Sequence, residues 1–113
     1  MPKSAVALRS RTSLVIDIEA VRRGQIRWLC LEQLDHARPD VMTDLALLAI
    51  IQVVYPNAQH VELRRELDYL KRSFLLTIEV NGEMWHLNLT YQGIDIVEYT
   101  STCPDGIKRP LRH

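Results

Sequence analysis

The segment NAQHVELRRELDYLKRS, Asn57 to Ser73, gathers the side chains of this chain best suited to touching a polyanion. An arginine fork matches the acceptor edge of guanine, and a glutamine amide matches adenine. Gln59, His60, Arg64 and Arg65, with Glu62 among them, stand in the first half of the segment as candidates for base edges. Lys71 and Arg72 come later and suit phosphate oxygens. Lys3, Arg9 and Arg11 near the start, and Lys108, Arg109 and Arg112 near the end, supply further cations for salt-sensitive backbone contacts. The same spacing carries a second meaning. Arg64 and Asp68, and Asp68 and Arg72, are i,i+4 partners, and Glu62 and Arg65 are i,i+3 partners, as on a solvated helix face.

Other chemistries find no footing. There is no Gly-rich phosphate loop, no nucleophile elbow and no HExxH, so no enzyme activity and no cofactor are expected. His36, His60 and His86 lack the close pairing of zinc ligands, so no metal is expected. Cys30 falls in an apolar pattern and Cys103 in a polar one, which reads as two reduced thiols. Lys+Arg and Asp+Glu balance at 14 each, which speaks against a protein that merely coats nucleic acid. The 113 residues suffice for one domain, and 47% of them are apolar. No apolar run reaches the roughly 18 residues of a membrane span, and the start lacks the continuous apolar core of a signal peptide. An intracellular protein with no membrane association is expected.

Residues 1–16 read as an N-terminal arm. A first helix is predicted from Ile18 to Leu34, with Asp17 as N-cap and Arg38-Pro39 as its stop. Ile26 and Cys30 share one side while Trp28 projects from nearly the other, so this helix needs cover on most sides. The cover is either the arm or a second subunit, and Trp28 is the candidate interface residue of a homodimer. Thr43 caps a second helix whose predicted buried face is Leu45, Leu48, Ile51 and Val54; Tyr55-Pro56 ends it. Asn57 caps a third helix to about Ser73, with Leu63, Leu67, Leu70 and Phe74 as its core stripe.

Asn81-Gly82 then predicts a hairpin with a type I′ turn. That turn sets Val80 opposite Glu83, Ile78 opposite Trp85 and Leu76 opposite Leu87. It puts Leu76, Ile78, Trp85 and Leu87 on the inner face. Thr90 caps a short fourth helix, about Tyr91 to Tyr99, and residues 100–113 form a tail. A short strand near Val41-Met42 is available to pair with the hairpin. Three helices, a hairpin and a short helix make an α+β domain of winged helix-turn-helix type over 17–99, with the third helix placed to enter the major groove.

Three segments carry a family likeness. LDYLKRSFLL (67–76) resembles the end of a winged-helix recognition helix. LTYQGIDIV (89–97) resembles the "LTxxGxDVA" step after the wing, and PDGIKRP (104–110) a "PGVKRP" tail. Together these resemble the small winged-helix proteins of Mu-like transposable phages and prophages, with an ArsR-like fold. The resemblance implies a phage or prophage origin, the cytoplasm of a bacterial host cell, and duplex DNA as partner, in regulation or as a packaging accessory. Phe74 stands where that family carries glycine, Asp105 interrupts Pro-Gly, and the arm is longer than the pattern. The hairpin points the other way. From Phe74 to Ile107 there is no Lys or Arg, yet Glu79, Glu83, Asp95, Glu98 and Asp105 lie there. A wing with that charge is repelled by phosphates. DNA contact is therefore expected from the third helix and the basic arms, with the wing held away, and the alternative is an adaptor that binds a protein, such as another phage component.

Overall fold

The computed structural model describes residues 16–112. Helix α1 runs Ile18–Ala37. It starts where expected, because the Asp17 carboxylate accepts the Ala20 N–H at 3.1 Å. It runs past Leu34 and yields only at Arg38, where the following proline disfavours helical backbone. Ile26, Cys30 and Leu31 are wholly buried, and Trp28 is 8% exposed. The cover over Trp28 comes from within the chain: Tyr99 meets it edge-on with ring centroids 6.1 Å apart. Trp28 is thus a core residue rather than a subunit contact. The N-terminal arm, with Lys3, Arg9 and Arg11, lies outside the described residues apart from Ile16.

Strand β1 is Met42–Thr43, and helix α2 is Asp44–Val54. The strand foreseen near Val41-Met42 exists one residue further on, so the helical run is interrupted between the first two helices. Thr43 caps α2 by accepting the Ala46 N–H at 3.2 Å. The buried face of α2 is Asp44, Leu47 and Ile51, while Leu45 and Val54 are exposed. DLALLAIIQVV is apolar at almost every position, so periodicity could not choose a face, and packing against α1 and α3 did.

Helix α3 is His60–Arg72, capped by Gln59 without a side-chain bond; Asn57 lies in the preceding turn. That turn is held by Ala58 N–H to the Tyr55 carbonyl and by the Gln52 amide to the Ala58 carbonyl, each 2.9 Å. Leu63, Leu67 and Leu70 are buried as the stripe required, but Phe74 is 73% exposed. Phe74 sits beyond the helix at φ 62. Leu75 N–H reaches the Leu70 carbonyl and Phe74 N–H the Lys71 carbonyl, the bonding of a Schellman end that glycine makes without strain. The same geometry recurs at Tyr99, φ 62, where Thr100 N–H reaches the Asp95 carbonyl. Tyr99 has contacts to offset the strain, and Phe74 has few. Phe74→Gly is therefore expected to stabilise the fold by about 1 kcal/mol, raising Tm by ~4 °C in a thermal melt.

Strands β2 (Leu76–Asn81) and β3 (Met84–Leu89) form the hairpin, and the sheet is antiparallel in the order β1-β3-β2. The register differs by two residues from the expected one: Asn81 pairs with Met84, Val80 with Trp85, Ile78 with Leu87 and Leu76 with Leu89. The loop is Gly82-Glu83, and only Gly82 has positive φ, at 63. One glycine in the first loop position suits a type II′ turn, which spares Asn81 the left-handed conformation. A shift of two preserves the faces, so Leu76 and Leu87 are buried and Trp85 is half-buried.

Helix α4 is Tyr91–Val97, capped by the Thr90 hydroxyl, which accepts the Gly93 N–H at 3.1 Å. Gly93 allows a close approach here: a Cβ at this position would lie 2.1 Å from the Leu75 carbonyl oxygen. The segment after α4 is not a loose tail. Ile107 is buried, Lys108 N–H bonds the Gly24 carbonyl at 3.0 Å, and Arg109 donates to the Ile96 and Ser101 carbonyls at 3.0 Å. The described chain is thus an α+β domain of four helices and a three-stranded antiparallel sheet. Among the described residues no helix is long and apolar enough to cross a membrane.

Candidate nucleic-acid interface

Helix α3 distributes its charged side chains to four directions, and three of them lead into the protein. The first leads to α2. Asp44, at the start of α2, is fully buried, and its carboxylate collects His60 Nε2 at 2.5 Å, Arg64 Nε at 2.8 Å and the Trp85 N–H at 3.1 Å. Burial pushes this carboxyl up. The hydrogen bonds from His60, the Trp85 amide and Arg64 outweigh burial and hold it below the usual carboxylate range. Arg64 also donates to the Glu83 carbonyl at 2.5 Å and lies over the Trp85 ring, 4.4 Å from its centroid. Arg64 therefore fastens the hairpin to the helices.

The second direction leads to the start of α1. Glu62 takes a two-point bond from Arg22, Nε at 2.7 Å and Nη2 at 2.9 Å. That bond from Arg22 is the main reason the Glu62 carboxyl lies below its ordinary range, against the opposing effect of burial. Arg22 in turn lies over the Tyr55 ring at 4.8 Å. The third direction leads to the middle of α1. Glu66, 1% exposed, accepts from Arg27 Nε at 2.8 Å. Arg27 stacks over Tyr69 at 3.5 Å and donates to the Gly106 carbonyl at 2.9 Å. Burial, with the Glu66 charge adding to it, pushes the neighbouring Cys30 thiol far up, so that thiol is chemically quiet.

The fourth direction is solvent. Arg65 and Arg72 project on the outward stripe with Val61 and Asp68; Lys71 is exposed at its flank and Gln59 at the N-terminal end. Arg72 pairs with Asp68 at 3.0 Å, both well exposed, a pairing worth little in water. The side chains of Arg65 and Lys71 make no ion pair or hydrogen bond among the described residues.

The structure therefore divides the six candidate DNA contacts. Gln59, Arg65, Lys71 and Arg72 face outward. His60 and Arg64 are engaged with Asp44 and are withdrawn from base reading by that engagement. Of the helical pairings expected along α3, only Asp68–Arg72 forms; Arg64 and Glu62 take partners on other elements. Asp44, Arg22, Arg27 and Glu66 organise the site and were not singled out from the sequence as such. None of the four carried a spacing signal, because their charged partners are 16 to 40 residues away. Among the described residues no three His, Cys, Asp or Glu side chains are grouped to hold a metal ion. No family model matches the chain, and no curated protein and no solved structure matches it either.

Proposed function

We propose that the domain is a winged helix that binds duplex DNA through the outward stripe of α3, as a regulator or packaging accessory of a Mu-like phage or prophage. The fold reading is supported by the order helix, strand, two helices, hairpin, with β1 laid against β3. The observation that carries the function is the split of α3: one face is locked into the core while Gln59, Arg65, Lys71 and Arg72 are left outward. Three outward cations make a modest, mainly phosphate-directed contact, with Gln59 the one side chain suited to a base edge.

The test is a filter-binding titration of the full chain on a duplex across a salt series. Three phosphate contacts predict a log–log slope of about −2.7. Arg65→Ala combined with Lys71→Ala is expected to weaken binding at least ~10-fold at low salt and to reduce the slope by about 2. Absence of binding at ~50 mM salt overturns the proposal. One observation favours a second reading, an adaptor that binds protein. The exposed Glu79 and Glu83 make no ion pair with any described residue, so the hairpin offers a bare acidic tip. A chain that ignores DNA at low salt yet binds a basic peptide would support that adaptor.

A further inference from the structure

We propose that Lys108, Arg109 and Arg112 form a binding site for a phosphate monoester beside Tyr99. Five arginines of the described chain lie over aromatic rings. Three of them also hold a carboxylate: Arg22 over Tyr55 with Glu62, Arg27 over Tyr69 with Glu66, and Arg64 over Trp85 with Asp44. Arg109 and Arg112 depart from this pattern. They share one ring, Tyr99, at 4.4 and 5.1 Å from its centroid. Neither forms an ion pair with a carboxylate among the described residues. Resting on one ring, the two charges lie within about a Debye length of each other, roughly 10 Å at 0.1 M salt, and repel. Lys108 adds a third cation to the same open cleft of ≈ 410 Å³, and it too has no ion pair among the described residues. That volume falls within the range of small-molecule sites, roughly 300–1,000 Å³.

These cations are held in place. Arg109 donates through Nη1 to the Ile96 and Ser101 carbonyls, each at 3.0 Å, and Arg112 through Nη1 to the Glu98 carbonyl at 3.1 Å. A guanidinium carries N–H donors on three nitrogens, and in both residues Nε and Nη2 make no bond among the described residues. Tyr99 itself sits at φ 62, and its hydroxyl donates to the Pro110 carbonyl at 2.7 Å. Strained backbone of this kind collects at ligand clamps, and here it carries the ring on which both guanidinia rest. The charge count selects the ligand. The cleft is lined by three cations and one acid, Asp105, while the Glu98 carboxylate lies toward Arg38 at 3.9 Å. A phosphate monoester carries a charge of about −2 at neutral pH and matches that surplus. A carboxylate or a phosphodiester carries one charge. The planar fork of arginine also fits phosphate oxygens two at a time. Such a group is borne either by a free phosphorylated compound or by the 5′ end of a DNA strand. The cleft lies on the segment after α4, apart from Gln59, Arg65 and Lys71, so the inference does not rest on duplex binding by α3.

Amide NMR spectra of the full chain, titrated with inorganic phosphate and with chloride at equal ionic strength, test this. Saturable shifts at the Tyr99, Arg109 and Arg112 amides are expected with phosphate alone. Arg112→Gln is expected to weaken phosphate binding at least ~10-fold. Arg112 is exposed and makes one carbonyl bond, so this variant should melt as the wild type does. Arg109→Lys keeps the charge, loses the fork, and is expected to weaken binding by several-fold. A duplex with 5′-phosphates, set against the same duplex without them, assigns the source. Tighter binding of the phosphorylated duplex, abolished by Arg112→Gln, supports the site with DNA ends as its ligand. Equal binding of the two duplexes, with the phosphate titration intact, supports it with free phosphorylated compounds. Failure to bind either duplex while phosphate still saturates the cleft strikes the α3 reading and leaves this one standing. Shifts no larger than those with chloride overturn the proposal, as do shifts that survive both substitutions.

Discussion

Asp44→Ala is expected to lower stability by about 4 kcal/mol, with Tm falling by ~15–20 °C in a thermal melt at neutral pH. The Asp44 side chain joins three elements at one point. Its carboxylate begins α2 and receives His60 and Arg64 from α3 and the Trp85 amide from β3. Removing it leaves a guanidinium with only the Glu83 carbonyl and the Trp85 ring, and leaves the Trp85 N–H without an acceptor. Asp44→Asn keeps the shape but turns a donor toward donors, and about 2 kcal/mol is expected for it.

The acid limb gives a separate check. The folded carboxyl lies below its ordinary value, so its contribution is complete above the unfolded pKa of about 3.9 and fades as pH falls below that. The difference in stability between wild type and Asp44→Asn, on the order of 2 kcal/mol at pH 5, should therefore shrink as pH falls below about 4. A difference that stays constant down to pH 2 would contradict the assigned role of the charge.

Glu66→Ala is expected to destabilise by about 3 to 4 kcal/mol, because it strands a largely buried guanidinium and truncates a side chain that is itself buried. Arg27 is the more informative partner. It also holds the Gly106 carbonyl, and the space around Gly106 is so tight that a Cβ there would lie 2.5 Å from the Tyr69 hydroxyl and 2.9 Å from Arg27 Nη1. When Arg27 loses its anchor, the segment that carries Ile107 into the core is expected to loosen before the rest. Trypsin should then cut after Lys108 faster in Glu66→Ala than in a variant equally destabilised elsewhere, such as Leu47→Ala. Glu66→Gln, which keeps a hydrogen-bonding oxygen, should fall between the two. Equal cutting rates would assign Glu66 to packing alone.

What was legible in the sequence follows from the range of the interactions. Caps are local, and Asp17, Thr43 and Thr90 were each found as caps and each accept the expected backbone N–H. The hairpin faces were legible because alternation has a period of two; the register was not, since Asn-Gly permits two loop placements that share those faces. The amphipathic stripe of α3 held for three of its four leucine and phenylalanine positions and failed at Phe74, where the helix had already ended. α2 defeated periodicity because its apolar residues surround it. For the candidate interface, the outward residues were legible as a cluster. Which of them were free was not, because Asp44, Arg22 and the Glu83 carbonyl lie on other elements and their distances to α3 exist only after folding.

The placement of the two tryptophans has a practical consequence. Trp28 lies beneath Tyr99, where the segment after α4 closes over α1, and Trp85 lies beneath Arg64, where the hairpin meets α2 and α3. The chain has no others. Replacing either by phenylalanine leaves a single indole emitter, so each closure acquires its own optical reporter. Coincident red shifts of the two emitters under denaturant would mark one cooperative unit, and an earlier shift at Trp28 would mark a C-terminal clasp that opens first.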